Sequence, residues 1–332
     1  MAKEIGIDLG TANVLVYVED KGVVLNEPSV VAVDTKTEKV LAVGTEAYQM
    51  VGRTPDNIRA VRPLKDGVIS DFDMTEAMLN YFIGKLGVKS AMSRPNIMVA
   101  APTNITEIER KAIIQAAEKA GAAKVYLEYE PKVAAIGAGL DIFAPVASMV
   151  IDMGGGTADI AVLSLGDIVS SRSIRVAGDR LNHDIAFYVK NEHNLQIGER
   201  SAEQVKIEIG TAIPEDEPQT MEVRGRDNFT GMPRSIELNA NEVEGAMHDT
   251  LAQIVTAAHD VLAEIQPELA SDIIDRGIIM TGGGALLKGI DTLISDKLGV
   301  PVMIADHPLD NVARGAGELL EYMKKMNEGK RR

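Results

Sequence analysis

Short apolar runs, each closed by a glycine-bearing turn, set the rhythm of this chain. Ile5-Gly-Ile-Asp-Leu-Gly10 predicts a strand, Thr11-Ala-Asn13 a turn, and Val14-Leu-Val-Tyr-Val18 a second strand. The pattern returns as Met149-Val-Ile-Asp152, a turn with three glycines, and Ile160-Ala-Val-Leu163, so that Asp8 and Asp152 lie 144 positions apart. Two copies of one strand–turn–strand unit at that separation predict two similar α/β domains facing one another.

Other buried-strand patterns fall at Val30–Val33, Asn96–Ala101, Val125–Glu128 and Gly277–Met280. Apolar positions at helical spacing predict helices near Met74–Leu86 and over Glu107–Ala120, the second capped by Thr106 with Glu109 three residues on. Pro131 fits the first position of a helix running to Leu140. In the second half, Asp179–Glu192, Ser201–Ile209 and Asn241–Ile265 read as helices. The acidic loop Ile213–Pro218 leads into a hairpin of Met221–Val223 and Ser235–Leu238, turning about Arg224-Gly-Arg-Asp227. The strand Gly277–Met280 enters Thr281-Gly-Gly-Gly284, with a helix expected over Ala285–Leu298.

Composition narrows the classes. A chain of 332 residues favours two domains over one core. The absence of cysteine excludes disulfide scaffolds and cysteine-bound zinc, and the five histidines show no ligand spacing. A net charge of -15 opposes broad contact with nucleic acid and with anionic lipid. MAKEIGIDLG enters a strand without a signal-peptide apolar region, and no window reaches the roughly 18 apolar residues of a spanning helix. The expected compartment is the cytoplasm. The basic end, Lys324-Lys325 and Lys330-Arg-Arg332, reads as a solvated terminus or as an anionic-lipid contact.

The glycine turns carry the chemistry. Neither a Walker A loop nor G-x-G-x-x-G occurs. A glycine-rich hairpin can still present backbone N–H groups to phosphate at close range. Gly154, Gly155 and Gly156 offer such donors beside Thr157, and Gly10, Thr11, Ala12 and Asn13 form the counterpart. Carboxylates facing phosphate need a cation between them, and Asp8 and Asp152 stand at matching places to hold a hydrated Mg²⁺. The third turn, Thr281–Ala285, could receive a flat base against bare backbone, or be only a tight strand-to-helix connection.

At these turns the sequence resembles the ATP-binding superfamily of actin, the large heat-shock chaperones and hexokinase. Within it, the chain is similar to the MreB/Mbl family of bacterial actin-like rod-shape proteins. IDLGTANVLVYV, NEPSVVAV, RPLKDGVISDF, IDMGGGTADIAV, IRVAGD, VKIEIGTA, TGGGALLKGID and DNVARGAG carry the resemblance nearly end to end. It implies an actin-like α/β fold of two related ATPase domains. Domain I would span 1–146 with 311–332 and domain II 147–310, with smaller subdomains at about 34–75 and 183–247. ATP and Mg²⁺ would lie between them. The hairpins would clasp the phosphates, Gly282, Gly283, Gly284, Ala285 and Leu286 would approach the adenine, and Glu203 and Lys206, on one helical face, would reach ribose and base.

For hydrolysis the resemblance selects Glu130 and Thr157 to position the attacking water. Periodicity alone leaves Glu128 and Glu130 equivalent, since a continuing strand puts both on one face. Ala158 stands where the family commonly has a second threonine, which implies slower turnover. The implied output is a weak ATPase coupled to polymerisation: antiparallel double protofilaments on the inner membrane face, governing cell shape and wall synthesis with cell-wall elongation membrane proteins. Family members reach the membrane through an N-terminal helix or an apolar loop. Here the loop corresponds to Gly87–Ser93, where Ala91 and Met92 are small and imply weak contact. The competing reading is a sugar-type phosphotransferase on the same fold, for which no second pocket is evident; a chaperone would need a further C-terminal β-domain.

Overall fold

The computed structural model describes residues 3–86 and 94–329. Its first half runs β1 (Glu4–Leu9), β2 (Asn13–Val18), β3 (Gly22–Pro28), β4 (Val31–Asp34), β5 (Val40–Val43) and α1 (Thr45–Met50). Next come β6 (Ile58–Val61), β7 (Leu64–Lys65), β8 (Val68–Ile69), α2 (Phe72–Lys85), β9 (Asn96–Ala101), α3 (Glu107–Lys119), β10 (Lys124–Tyr129) and α4 (Glu130–Gly137). The second half contains β11 (Ser148–Met153), β12 (Ala158–Ser164), β13 (Asp167–Ile174), α5 (Gly178–Glu192), β14 (Leu195–Gln196) and α6 (Glu199–Ile209). It continues with β15 (Thr220–Asp227), β16 (Pro233–Asn239), α7 (Ala240–Glu264), α8 (Pro267–Arg276), β17 (Ile278–Thr281), α9 (Ile290–Leu298), β18 (Val302–Ile304) and α10 (Asn311–Gly329).

The repeat read from the sequence is a repeat of topology. Among the described residues one five-stranded sheet has the order β10-β9-β1-β2-β3 and the other β18-β17-β11-β12-β13. In each, the Asp-bearing strand pairs antiparallel with its successor and parallel with a later strand: β1 with β2 and β9, β11 with β12 and β17. Every residue of β11 is buried, as are all of β1 but Asp8. Strands covered on both faces require such near-continuous apolar runs. Two three-stranded sheets, β5-β4-β6 and β14-β15-β16, and the two-stranded β7-β8 complete the sheets among the described residues.

Local chemistry sets several helix ends. Thr106 and Glu109 form a capping box on α3, and Asn239 with Glu242 forms another on α7. Asp71 accepts the Met74 N–H and starts α2 two residues before the expected position. Pro131 occupies the second position of α4, because the helix begins at Glu130, and α4 ends at Gly137 rather than Leu140. Strand β15 continues through Arg224–Asp227, so the hairpin turns after it, where Asp227 Oδ1 accepts the Phe229 and Thr230 N–H groups. The helix expected over Ala285–Leu298 is interrupted. A 3-10 turn covers Gly283–Leu286, Lys288 bridges to Thr211, and α9 starts only at Ile290.

Each large sheet has its own apolar core, and a third cluster joins them. It holds Met98 and Ala100 of β9, Val150 of β11, Val133–Ala135 of α4, and Val312, Ala316, Leu319 and Leu320 of α10. Helices α4 and α10 cross at backbone contact: a Cβ on Gly137 would lie 1.9 Å from the Asn311 carbonyl oxygen, and one on Gly315 1.8 Å from that of Val133. The end of α10 is tied to the first sheet. Lys324 pairs with Glu19 at 3.2 Å and Glu4 at 3.6 Å, so this lysine is not part of a solvated terminus. Residues 330–332 lie outside the described residues.

The crossing yields a stability test. Gly137→Ala should destabilise the protein by about 3 kcal/mol in denaturant melts, since backbone must move to admit one methyl. Gly84→Ala, which meets nothing within 4 Å in α2, should instead be neutral or stabilise by up to about 1 kcal/mol. Equal effects of the two would contradict the close crossing.

Candidate functional site

The two Asp-bearing strands aim their turns at each other. In the first turn, Ser29 holds the backbone from behind, its hydroxyl donating to Gly10 O at 2.6 Å and its N–H to Ala12 O at 2.8 Å. In the second, the Gly154 N–H closes the turn on Thr157 O at 2.9 Å. Gly154 therefore spends its donor internally, while the N–H groups of Gly155 and Gly156 make no hydrogen bond among the described residues. The turns meet at distances that exclude side chains on one partner: a Cβ on Gly155 would lie 2.6 Å from Ala12 Cβ, and one on Gly156 2.5 Å from Thr11 Oγ1. Thr11 Oγ1 also accepts the Gly67 N–H at 2.9 Å, which brings the β7–β8 turn onto the same point.

Between the halves runs a cleft of about 590 Å³. The structure brings nearly all the predicted site residues to its wall: Asp8, Gly10, Thr11, Ala12, Asn13, Glu130, Asp152, Gly154, Gly155, Gly156, Thr157, Glu203, Lys206, Gly282, Gly283, Gly284 and Leu286. Ala285 is the exception. It is fully buried in the second-half core, because the 3-10 turn points its methyl inward while Leu286 projects outward. The third turn approaches Asp152, with a Cβ on Gly282 reaching 2.5 Å from its Oδ1. Ala91 and Met92 lie outside the described residues.

Secondary structure separates the two glutamates that periodicity could not. Glu128 is the penultimate residue of β10 and pairs with Lys132 at 3.3 Å. Glu130 opens α4, so the strand face does not continue to it, and its side chain is buried in the cleft. Ala158 is also corrected. It alternates with Ile160 and Val162 into the apolar core and has no exposure, so a hydroxyl there would face hydrocarbon rather than the cleft. Asp159, on the opposite face of β12, accepts the Thr103 N–H at 3.1 Å and links the two halves below the cleft floor.

The floor is strongly acidic. Burial pushes the Asp8 carboxyl up to about 7. Burial, then the neighbouring Asp8 and Asp159, hold Asp152 well above the usual carboxylate range. Burial and the charges of Asp159, Asp152 and Asp8 do the same to Glu130. No cationic side chain enters any of these three balances. Among the described residues no three acidic or imidazole groups converge on one metal position, so Asp8 and Asp152 could hold a hard divalent cation only with water completing its shell. Opposite, burial lowers the Lys206 ammonium despite Glu203 and Asp179, and its Nζ donates to Gly178 O at 3.0 Å.

Sequence reasoning passed over several wall residues. Asp179 lines the cleft and its N–H donates to Gly155 O at 2.8 Å; the glycine before it, in Val176-Ala-Gly-Asp179, was the available signal. Glu215, Lys288 and Leu309 also line it, drawn from a loop, a bridge and a turn without periodicity. The acidic floor predicts a pH effect. The unfolded Asp8 titrates near 3.8, so its raised folded value adds stability that is complete below about pH 4 and is lost as pH rises through about 7. Melts of protein without added nucleotide should show Asp8→Asn flattening the fall of Tm between about pH 4 and pH 7. A pH profile identical in the variant would contradict this.

The geometry has counterparts among known proteins. A family model described as MreB/Mbl protein matches residues 2–328. The cell shape-determining protein Mbl of Bacillus subtilis is 57% identical over 329 residues, covering 99% of each chain. The cell shape-determining protein MreB of Escherichia coli is 49% identical over 327 residues, covering 97% of this chain and 94% of that one. The crystal structure of MreB5 of Spiroplasma citri bound to ADP aligns at a TM-score of 0.94 with 39% identity, covering 99% of both chains. With sequence and architecture agreeing from end to end, the chain belongs to the MreB/Mbl family of actin-like cytoskeletal proteins.

Proposed function

We propose that the protein binds ATP with Mg²⁺ in the cleft, hydrolyses it slowly, and polymerises into double protofilaments that govern cell shape and wall synthesis from the inner face of the membrane. The observation that carries this reading is the pair of turns facing each other with unspent N–H donors above a floor of uncompensated carboxylates. The crystal structures of Spiroplasma citri MreB5 bound to ADP and to AMPPNP, at a TM-score of 0.94, support a nucleotide as the occupant.

Each residue then has a task. The N–H groups of Gly155 and Gly156, with the first turn opposite, hold phosphate oxygens. Asp8 and Asp152 hold the cation through water, and Mg²⁺ bound there would neutralise charge on the transferring phosphoryl group. Glu130 orients and polarises the attacking water, helped by the Thr157 hydroxyl. Glu203 and Lys206 reach ribose and base, and Gly282–Gly284 with Leu286 border the adenine. The matching strand orders support two bodies, 1–146 with 311–332 and 147–310, each carrying one turn.

Among the described residues no helix is long and apolar enough to cross a membrane. By the family resemblance, membrane association is assigned to the segment around Ala91 and Met92, whose limited apolar area would make each contact weak and leave avidity along a filament to hold it. Membrane proteins of wall elongation are the expected partners there. Glu130→Ala should lower phosphate release by about 100-fold while ATP binding persists. Ala158→Thr should leave phosphate release unchanged, since its side chain faces the core. Failure of the protein to pellet with Mg-ATP at micromolar concentration would overturn the filament reading, and unaltered turnover in Glu130→Ala would remove its role.

A further inference from the structure

The mouth of the cleft is crossed by side chains from elements far apart in sequence. On one side stand Tyr48 of α1 and Arg62, directly after β6; on the other stand Glu199, Arg200 and Glu203 of α6. The Tyr48 hydroxyl donates a short hydrogen bond to Glu203 Oε2. Arg62 Nη2 donates to Glu199 Oε1 at 2.6 Å. Arg200 lies with its guanidinium 4.9 Å from the Tyr48 ring centroid and donates to Gln49 O at 3.4 Å. These contacts wall a second cavity of about 390 Å³ that reaches Ala12 and Asn13 of the first turn.

Two features set these contacts apart from ordinary surface pairs. Glu203 lines the main cleft as well, so one carboxylate serves the tie and the pocket at once. Arg62 is 22% exposed along its side chain and Glu199 46%, so one end of the pair is shielded from solvent while the other is screened. Burial, and then the bond to Glu203, push the Tyr48 phenol up to about 12, which keeps it a donor across the physiological range.

We propose that Tyr48, Arg62 and Arg200 form a latch across the cleft mouth, in which Tyr48 positions the Glu203 carboxylate and the three contacts together slow nucleotide release. This rests on the nucleotide reading of the cleft. The cavity these residues wall shares Ala12, Asn13 and Glu203 with the main cleft, so parting Tyr48 and Arg62 from α6 would widen a path out of it. Closing that path acts on escape and leaves the phosphate contacts on the floor untouched. Tyr48 acts through Glu203, and Arg62 through Glu199, so both are positioning residues.

The test is stopped-flow displacement of a fluorescent ADP analogue from the full chain with Mg²⁺. Tyr48→Phe removes one hydroxyl and should speed release about ten-fold. Arg62→Glu should speed it about five-fold, and adding Glu199→Arg should restore slow release by re-forming the pair in reverse. Arg59→Ala, which breaks the exposed Arg59–Glu38 pair on the same small sheet, should leave release unchanged. Wild-type release rates in Tyr48→Phe and Arg62→Glu, with binding intact, would overturn the latch alone. Absence of analogue binding by the parent protein would instead overturn the nucleotide reading and the latch with it.

Discussion

Everything around the cleft depends on how closely two hairpin turns approach. Gly155 and Gly156 rest against Ala12 and Thr11 at distances where a single methyl would collide. That contact brings Asp8, Asp152 and Asp159, on the strands flanking the turns, into one electrostatic group with Glu130 at the start of α4. Carboxylates so placed repel one another and lose hydration. This arrangement is thus held by packing elsewhere, and a bound cation would supply the missing compensation.

The restraining packing lies at the back. Helices α4 and α10 cross on glycines and share an apolar cluster with β9 of one sheet and β11 of the other. Glu130 is the first residue of α4, so the proposed water-orienting carboxylate and the helix crossing belong to one rigid element. Closure at the front is polar, through Tyr48, Arg62 and α6. The fold therefore joins an apolar pivot, an acidic floor and a polar mouth. Glu130 connects the floor to the helix crossing through α4, and Glu203 borders both the floor cleft and the mouth. For an actin-like cytoskeletal protein, this offers a physical route from nucleotide state to the shape of the subunit.

The parts legible in the sequence were those with local causes. The strand–Asp–turn units, the capping boxes at Thr106 and Asn239 and the glycine turns follow from patterns a few residues long. Helix α10 was not legible because Asn311-Val-Ala-Arg-Gly-Ala-Gly317 has poor helix propensity. Tertiary packing of its small residues against β1 and α4 makes the helix. The resemblance carries no packing, and it placed Ala285 with the adenine-facing turn and Ala158 at a second-threonine position, whereas both methyls are buried in the second-half core. Glu130 was separable from Glu128 only once the strand was seen to end at Tyr129. The ties at the mouth join residues 137 and 155 positions apart, beyond the reach of any local pattern.

Calorimetric titration of the protein with ATP, in Mg²⁺ and again in excess EDTA, tests the central claim most directly. One ATP per chain should bind in Mg²⁺, and affinity should fall sharply in EDTA for the parent but little for an Asp8→Asn, Asp152→Asn variant, which has no buried charge left to compensate. Equal affinity of the parent with and without Mg²⁺, or no binding in either, would contradict an acidic floor completed by a cation and a nucleotide.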